Sequence, residues 1–531
     1  MSKFRLITVL CLEVVFFALF VGGIIPRVDV RWYALAIVIY VSFVPLEEAL
    51  FFFIASIPLM IAIPIDLLLF GRIISFDSLN IWRLLSIVIF LRWVPRRWPA
   101  IISSTKDFFM RPLSWCRRHH YVSICMVLFL LACLSLIGST YPIVGIRRLV
   151  LFLNAALVPI VFFDVVRGRR ELLSSYWWAI TLSAIIALGA GYYQSFLTYR
   201  VTINSFVGVW AEGIQCVQFG IRWCSIALWQ GNTWFGYNGD NLILRVFSLF
   251  PDSHSYPTFL LLGLPAVAAL ALRKVPFDSF MRAIRTRASV LITLVPLLLL
   301  GIILSGTRGY WAAWLGVSVI ALWYIWRIRP RVAVETSTTG KYIFTFLGMF
   351  PLLFLIAWPI FSSPQFQLEG ESGRLGKRIH SIIDLGETSN RQRILIWRAS
   401  ATSIARHPVL GVGFGNFPVV LSQDIAAAKA GSSAHNLYLQ IAAELGIPAL
   451  LVFLYFLYIF LRNISAAFQS ESDNALRIFW GTSLLSFVWV LLYVMTDPII
   501  FDERVFLIFG SSIAMILGAM GQKQSHESST H

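Results

Sequence analysis

Apolar stretches of about 20 residues recur along the chain, parted by short polar segments. That is the length a hydrocarbon layer of roughly 30 Å demands of a helix. The pattern predicts helical spans over 6–25, 31–45, 49–70, 79–94, 121–139, 146–166, 175–197, 255–272, 288–305, 309–326, 342–361, 436–461, 476–495 and 503–520. The expected fold class is all-α, a polytopic transmembrane helical bundle of about fourteen spans. Pro45, Pro58 and Pro64 interrupt the 31–70 region, where one span is short. The alternating ten-residue segments of a β-barrel do not appear. The first stretch, Leu6–Ile25, lacks a small-residue cleavage site and is read as a retained helix. Outside the spans, Ser389–Pro418 sets Arg391, Arg393, Ile394, Trp397 and Ile404 at roughly helical spacing, which predicts an amphipathic helix ending in a glycine loop.

Composition agrees with a membrane protein. Of the 531 residues, 58% are hydrophobic and only 13% charged, well below the roughly 25% of soluble domains. The net charge of +17 points to nucleic acid only until the charges are placed. With the N-terminus inside, Lys and Arg concentrate in 95–120, 167–171, 273–287 and 327–341, and 462–475 is cytoplasmic too. That is the positive-inside pattern, so the excess is an orientation signal and nucleic acid is not an expected partner. Two long loops, 198–254 and 362–435, then face the other side. The second holds eight Lys and Arg residues, which needs a reason other than topology. Expected units are an N-terminal transmembrane extension with a basic cytoplasmic loop (1–120), a transmembrane core with a Trp-rich loop (121–361), the large loop (362–435), C-terminal helices (436–520) and a polar tail (521–531). Cys216 and Cys224 share one loop and are either a disulfide or two unrelated thiols; no cysteine spacing suggests a metal, and no cofactor is expected.

Four polar clusters gather at the outer face. They are Asn241–Pro257 with Arg245, Asp252 and His254; the turn Leu304–Trp311 with Arg308; Ser389–Pro418 with Arg391, Arg393 and Arg398; and Ser432–Gly446 with His435, Asn436 and Tyr438. Each has an ordinary reading. Arg308 can cap a span or touch lipid phosphate, the helix arginines can be a solvated face, and His435 with Asn436 can cap the following helix. The G-x-G-x-G of Gly411–Phe417 follows no strand and precedes no Lys-Ser/Thr, so a helix stop is the better account than a phosphate loop. Trp210, Trp223, Trp229 and Trp234 suit either an interfacial belt or stacking on sugar rings. Taken together, the clusters say more. Guanidinium forks match diphosphate oxygens, and an imidazole takes a proton near neutral pH. A diphosphate clamp beside a base is equipment for displacing a lipid-linked diphosphate with a sugar hydroxyl.

The ordered set Arg245…Pro251, the SGTRG turn, Arg393-x-x-x-Trp397, HPVLGVGFGNF and HNLYLQIAAELGIPALL resembles the bacterial O-antigen ligase and polysaccharide polymerase superfamily over about residues 235–500. The resemblance implies a metal-independent glycosyltransferase with a GT-C-like fold and a large helical periplasmic loop, in the bacterial inner membrane. Its donor would be an undecaprenyl-diphosphate-linked glycan, and its acceptor a glycan or lipid hydroxyl. His435 matches the family's base, Arg245 and Arg393 its diphosphate ligands, and Arg308 a supporting turn arginine; Arg391 competes with Arg393, and Arg398 stands on the same helix. Asn436, Tyr438, Asp252 and His254 are expected to support them. Where the family has Arg-x-x-Gly this chain has Arg245-Val-Phe-Ser248, and Pro-Asn becomes Pro251-Asp252. The extra N-terminal spans and Trp-rich loop favour a polymerase over a ligase joining finished glycan to lipid A core or protein. Membrane lipids, a chain-length regulator and a flippase are the expected partners. The rival from another class is a transporter or flippase of lipid-linked sugars, which predicts charges along a path inside the spans. Glu13, Asp66, Arg83 and Glu444 lie there, scattered.

Overall fold

A backbone in hydrocarbon must satisfy its hydrogen bonds within its own segment, and in the computed structural model nearly every apolar stretch closes into a helix. The structure describes residues 3–69, 72–201, 203–220, 223, 234–238, 241–272, 289–328, 336–361, 388–422 and 432–527. The helices are α1 (Lys3–Val21), α2 (Val30–Phe43), α3 (Leu46–Ser56), α4 (Ile81–Met110), α5 (Pro112–Arg118), α6 (His120–Leu134), α7 (Pro142–Gly168) and α8 (Leu173–Leu197). They continue with α9 (Ser255–Leu272), α10 (Ser289–Leu304), α11 (Arg308–Ile328), α12 (Thr336–Phe361) and α13 (Thr388–Arg406). The last four are α14 (Leu437–Leu445), α15 (Ile447–Ser470), α16 (Asn474–Tyr493) and α17 (Glu503–Glu527).

Three sequence expectations need correction. The span over 49–70 is not one helix: α3 stops at Ser56, Pro58 lies in a 3-10 turn, and Ala62–Leu69 (β1) pairs antiparallel with Arg72–Asn80 (β2). Two prolines six residues apart each remove a backbone donor, and the β-branched run around them suits a strand. The span over 436–461 is broken into α14 and α15 at Gly446, whose φ of 87° lies in the left-handed region, with Pro448 following. The basic segment 95–120 is not a loop but the end of α4 followed by α5. A second small hairpin pairs Phe235–Asn238 (β3) with Asn241–Leu244 (β4). Neither hairpin was anticipated.

Among the described residues seven helices are long and apolar enough to cross a membrane, eight if α5 and α6, bent by 111°, count as one span. This is a multi-pass helical membrane protein. The expected fourteen crossings exceed that number. One reason is that α2 and α3 shorten to 14 and 11 residues, about 21 and 17 Å at 1.5 Å per residue, short of a full crossing.

The most buried of the seven candidate spans is α9, apolar on every face, and a helix of that kind belongs inside a bundle. It packs on α8, α10 and α16. Gly263 meets Ala184 of α8, and a Cβ at Gly301 of α10 would lie 2.9 Å from the Tyr256 hydroxyl. The pair α7 and α17 runs parallel: Gly510 faces Pro159, and a Cβ at Gly518 would stand 2.7 Å from the Phe163 carbonyl oxygen. One end of the bundle gathers ion pairs rich in arginine, including Arg97–Asp164, Arg169–Glu47 and Arg170–Glu471. The opposite end, where α9, α11 and α17 begin and α16 ends, carries the candidate site.

Candidate functional site

His435 precedes α14 with φ of 46°, a conformation that costs a β-carbon residue about 1–2 kcal/mol. Its neighbours hold it there. Asn436 caps α14, its Oδ1 accepting from the Tyr438 and Leu439 amides at 3.0 and 3.1 Å. The Leu437 amide donates to the Val494 carbonyl at 2.8 Å, and the Tyr438 hydroxyl donates to Leu491 O at 2.9 Å. From α13, Trp397 Nε1 donates to Ala434 O at 3.0 Å. The histidine is thus clamped between the amphipathic helix and the end of α16.

The glycine loop does structural work. Gly411, Gly413 and Gly415 all have positive φ, at 63°, 101° and 78°. A Cβ at Gly411 would fall 2.4 Å from the Glu444 carbonyl carbon. Amides of Val412 and Gly413 donate to the carbonyls of Ala443 and Glu444 at 2.9 and 3.0 Å, so the loop satisfies the C-terminal carbonyls of α14. Beneath it Glu444, 1% exposed, takes Arg148 at 3.2 Å, the Gly415 amide at 3.0 Å and Gln440 Nε2 at 2.6 Å. Phe414 and Phe501 flank the Arg148 guanidinium. The sequence had left Glu444 unpaired.

At the centre stands Asp497, in the turn between α16 and α17. His435 Nδ1 lies 3.4 Å from its Oδ2, long for a hydrogen bond but within reach of tightening on binding. Burial raises the Asp497 carboxyl; His254, His435 and Arg393 together outweigh it and hold the group below its ordinary value. His254, half-buried, has Nδ1 2.5 Å from the Tyr493 hydroxyl. Burial pushes this imidazole below its ordinary value despite Asp497 and Asp252, and the charges of Arg245 and Arg393 push the same way. Tyr310 stacks on Tyr493 with centroids 3.6 Å apart. Five sequence candidates from three clusters therefore gather here: the charges of Asp252, Arg245 and Arg393 act on His254, and those of His435, His254 and Arg393 on Asp497.

The loop carrying Arg245 is built from behind. Ser248, where the family pattern has glycine, adopts φ of 55°, the region glycine favours. Gln194 Oε1 accepts from the Phe247 and Ser248 amides at 2.8 and 2.9 Å, and Ser248 Oγ donates to Ala187 O at 2.6 Å. Trp210 Nε1 donates to Ser248 O at 2.9 Å and Trp234 Nε1 to Pro251 O at 3.1 Å. Both indoles are buried, so they brace this loop instead of forming an interfacial belt or a sugar platform. Trp223 is half-buried, and Trp229 lies outside the described residues. Asp252 Oδ1 caps α9 through the Ser255 amide at 2.7 Å. Arg504 is buried and donates to the carbonyls of Pro58, Met60 and Leu249, joining the N-terminal extension to the same loop.

Arg308 is the first residue of α11, and Thr307 Oγ1 ties its turn to Ser253 O at 2.9 Å. Arg393 is half-buried, whereas Arg391 and Arg398 are exposed on the same helix. Cys216 is disulfide-bonded; Cys224 lies outside the described residues, as do 362–387 and 423–431 of the large loop. Sequence reasoning missed Asp497, Tyr493 and Tyr310. The available signal was the run Thr496-Asp497-Pro498, an acid directly after an apolar span.

Comparison with curated proteins finds no match. Residues 293–454 match the family model described as O-Antigen ligase, a stretch that takes in most of α10, the Arg308 turn, α13, the glycine loop and His435. Over that stretch, about a third of its length, the chain is similar to the O-antigen ligase family.

Proposed function

We propose that the protein transfers a glycan from undecaprenyl diphosphate to a sugar hydroxyl at the periplasmic face of the bacterial inner membrane, as a metal-independent polysaccharide polymerase of GT-C-like architecture. The observation that carries this reading is the meeting of His435, Arg393 and Arg245 around Asp497 and His254 at one end of the bundle. The arginine-rich end opposite would then face the cytoplasm.

In the reaction the acceptor hydroxyl oxygen attacks the anomeric carbon and the bond from that carbon to the diphosphate oxygen breaks. The hydroxyl proton passes to His435, and undecaprenyl diphosphate leaves with the electron pair. Asp497, kept ionised, accepts from His435 Nδ1–H and leaves Nε2 with the lone pair that a base requires. Arg393 and Arg245 offer guanidinium forks to the diphosphate, with Arg308 in support; their charge is already in place when negative charge develops.

The test is transfer by purified protein supplied with lipid-linked donor. His435→Ala and Arg393→Ala at normal abundance should each lose about 10²–10⁴-fold in rate. Wild-type rates in both would refute the site. A donor carrying a single repeat and no other acceptor should yield a ladder; silence until core lipid is added would instead assign a ligase. Translocation of unchanged donor would assign a flippase.

A further inference from the structure

We infer that the elbow formed by the end of α4 and α5 is an interfacial anchor that docks onto anionic phospholipid at the arginine-rich end of the bundle. The elbow is a built unit. Trp115 Nε1 of α5 donates to Ser104 Oγ of α4 at 2.9 Å, the Phe108 and Trp115 rings meet edge-on at 5.1 Å, and Arg118 pairs with Asp107. Its turn presents three large apolar side chains in a row, Phe109, Met110 and Leu113, which are 77%, 77% and 79% exposed. These are among the most exposed apolar groups of the described residues, and no described element covers them.

Charge and geometry identify the occupant. Residues 95–120 hold six cations, Arg96, Arg97, Lys106, Arg111, Arg117 and Arg118, against one acid, Asp107, which Arg118 already engages. Lys106, Arg111 and Arg117 are exposed beside the apolar tip. Apolar side chains flanked by cations suit the boundary between acyl chains and anionic headgroups. The elbow has no freedom to reach a distant protein. Only His119 separates α5 from α6, and the 111° bend between them lays α5 across the direction of α6. The tip therefore stays at the level where α6 enters the bilayer. A water-exposed docking partner would need the opposite arrangement, a spacer holding the apolar tip clear of the lipid surface.

The test uses the full-length protein in nanodiscs of zwitterionic phosphatidylcholine, with and without anionic phosphatidylglycerol, read by hydrogen–deuterium exchange over residues 104–118. Exchange should be slower in the anionic discs, and the difference should fade at high salt. Lys106→Gln, Arg111→Gln and Arg117→Gln should each reduce the preference about fivefold, and the triple variant should abolish it. Phe109→Ser with Leu113→Ser should remove protection in both kinds of disc. All these positions lie away from the candidate site, so glycan transfer should continue and report that the variants are folded. Equal exchange in the two discs, or a preference for anionic discs that survives charge neutralisation, would overturn the inference. So would protection that depends on a co-purified protein.

Discussion

Replacing Glu444 by alanine should destabilise the protein by about 3–5 kcal/mol, the usual consequence of removing one member of a buried ion pair. The magnitude follows from what the carboxylate holds. Its two oxygens take Arg148, the Gly415 amide and Gln440, and the side chain is 1% exposed. Alanine would leave the Arg148 guanidinium without a counter-ion and the Gly415 amide without an acceptor, the second alone worth about 1–3 kcal/mol. Glu444→Gln should fall between wild type and alanine, because an amide oxygen can still accept from Gly415. The double variant Arg148→Met, Glu444→Met should recover much of the loss, since apolar replacement of both partners is often close to neutral. Reversible unfolding in mixed detergent micelles measures all four proteins, and the transfer rate per folded molecule is read beside it. An alanine variant within 1 kcal/mol of wild type would refute the reasoning. So would a stable variant that has lost its transfer rate, because the glycine loop would then act in the chemistry and not as the cap of α14.

Four further outcomes are expected. Asp497→Asn keeps the side-chain shape but can turn an N–H towards His435; the maximal rate should fall at least about tenfold with little change in donor affinity, checked by separating kcat from KM. In the wild type, stability owed to Asp497, whose carboxyl is held low, should be present above the unfolded carboxylate value and drain away as pH drops through the lower folded value. Asp502 behaves oppositely: burial first, then nearby Asp252, raises its carboxyl to about 7, so stability should decline as pH climbs from about 4 to 7, and Asp502→Asn should flatten that slope in pH-dependent unfolding. Gly446→Ala should cost at least about 1–2 kcal/mol, since its φ is 87° and the new Cβ would stand 2.1 Å from Val409 O; an unchanged unfolding midpoint would contradict this.

The helical, multi-pass character of the chain was legible because it depends on one local property, the length of apolar runs. Where two signals compete, the pattern misled. Residues 62–69 are apolar enough for a span, yet they pair as a strand with 72–80, a choice settled by Pro58 and Pro64 together with a partner strand that periodicity does not reveal. At Gly446 the break is a matter of two residues, Gly446 and Pro448, within a run of otherwise helical character. For the candidate site, the arginines and His435 could be picked out because charged groups are conspicuous beside apolar spans. Asp497 also follows a span directly, but its meaning lies in a contact with His435 across 62 residues, which no local pattern reveals. Trp210 and Trp234 invited a surface role by residue type, and only tertiary packing shows them inside, bracing the Ser248 turn.

The most direct measurement is the stoichiometry of the purified protein in liposomes: undecaprenyl diphosphate released per glycosidic bond formed, with wild type and His435→Ala compared. One carrier diphosphate should appear for each new bond in the wild type, and both signals should fall together by about 10²–10⁴-fold in the variant. Bond formation that persists in His435→Ala, or donor consumption with no diphosphate released, would contradict the account.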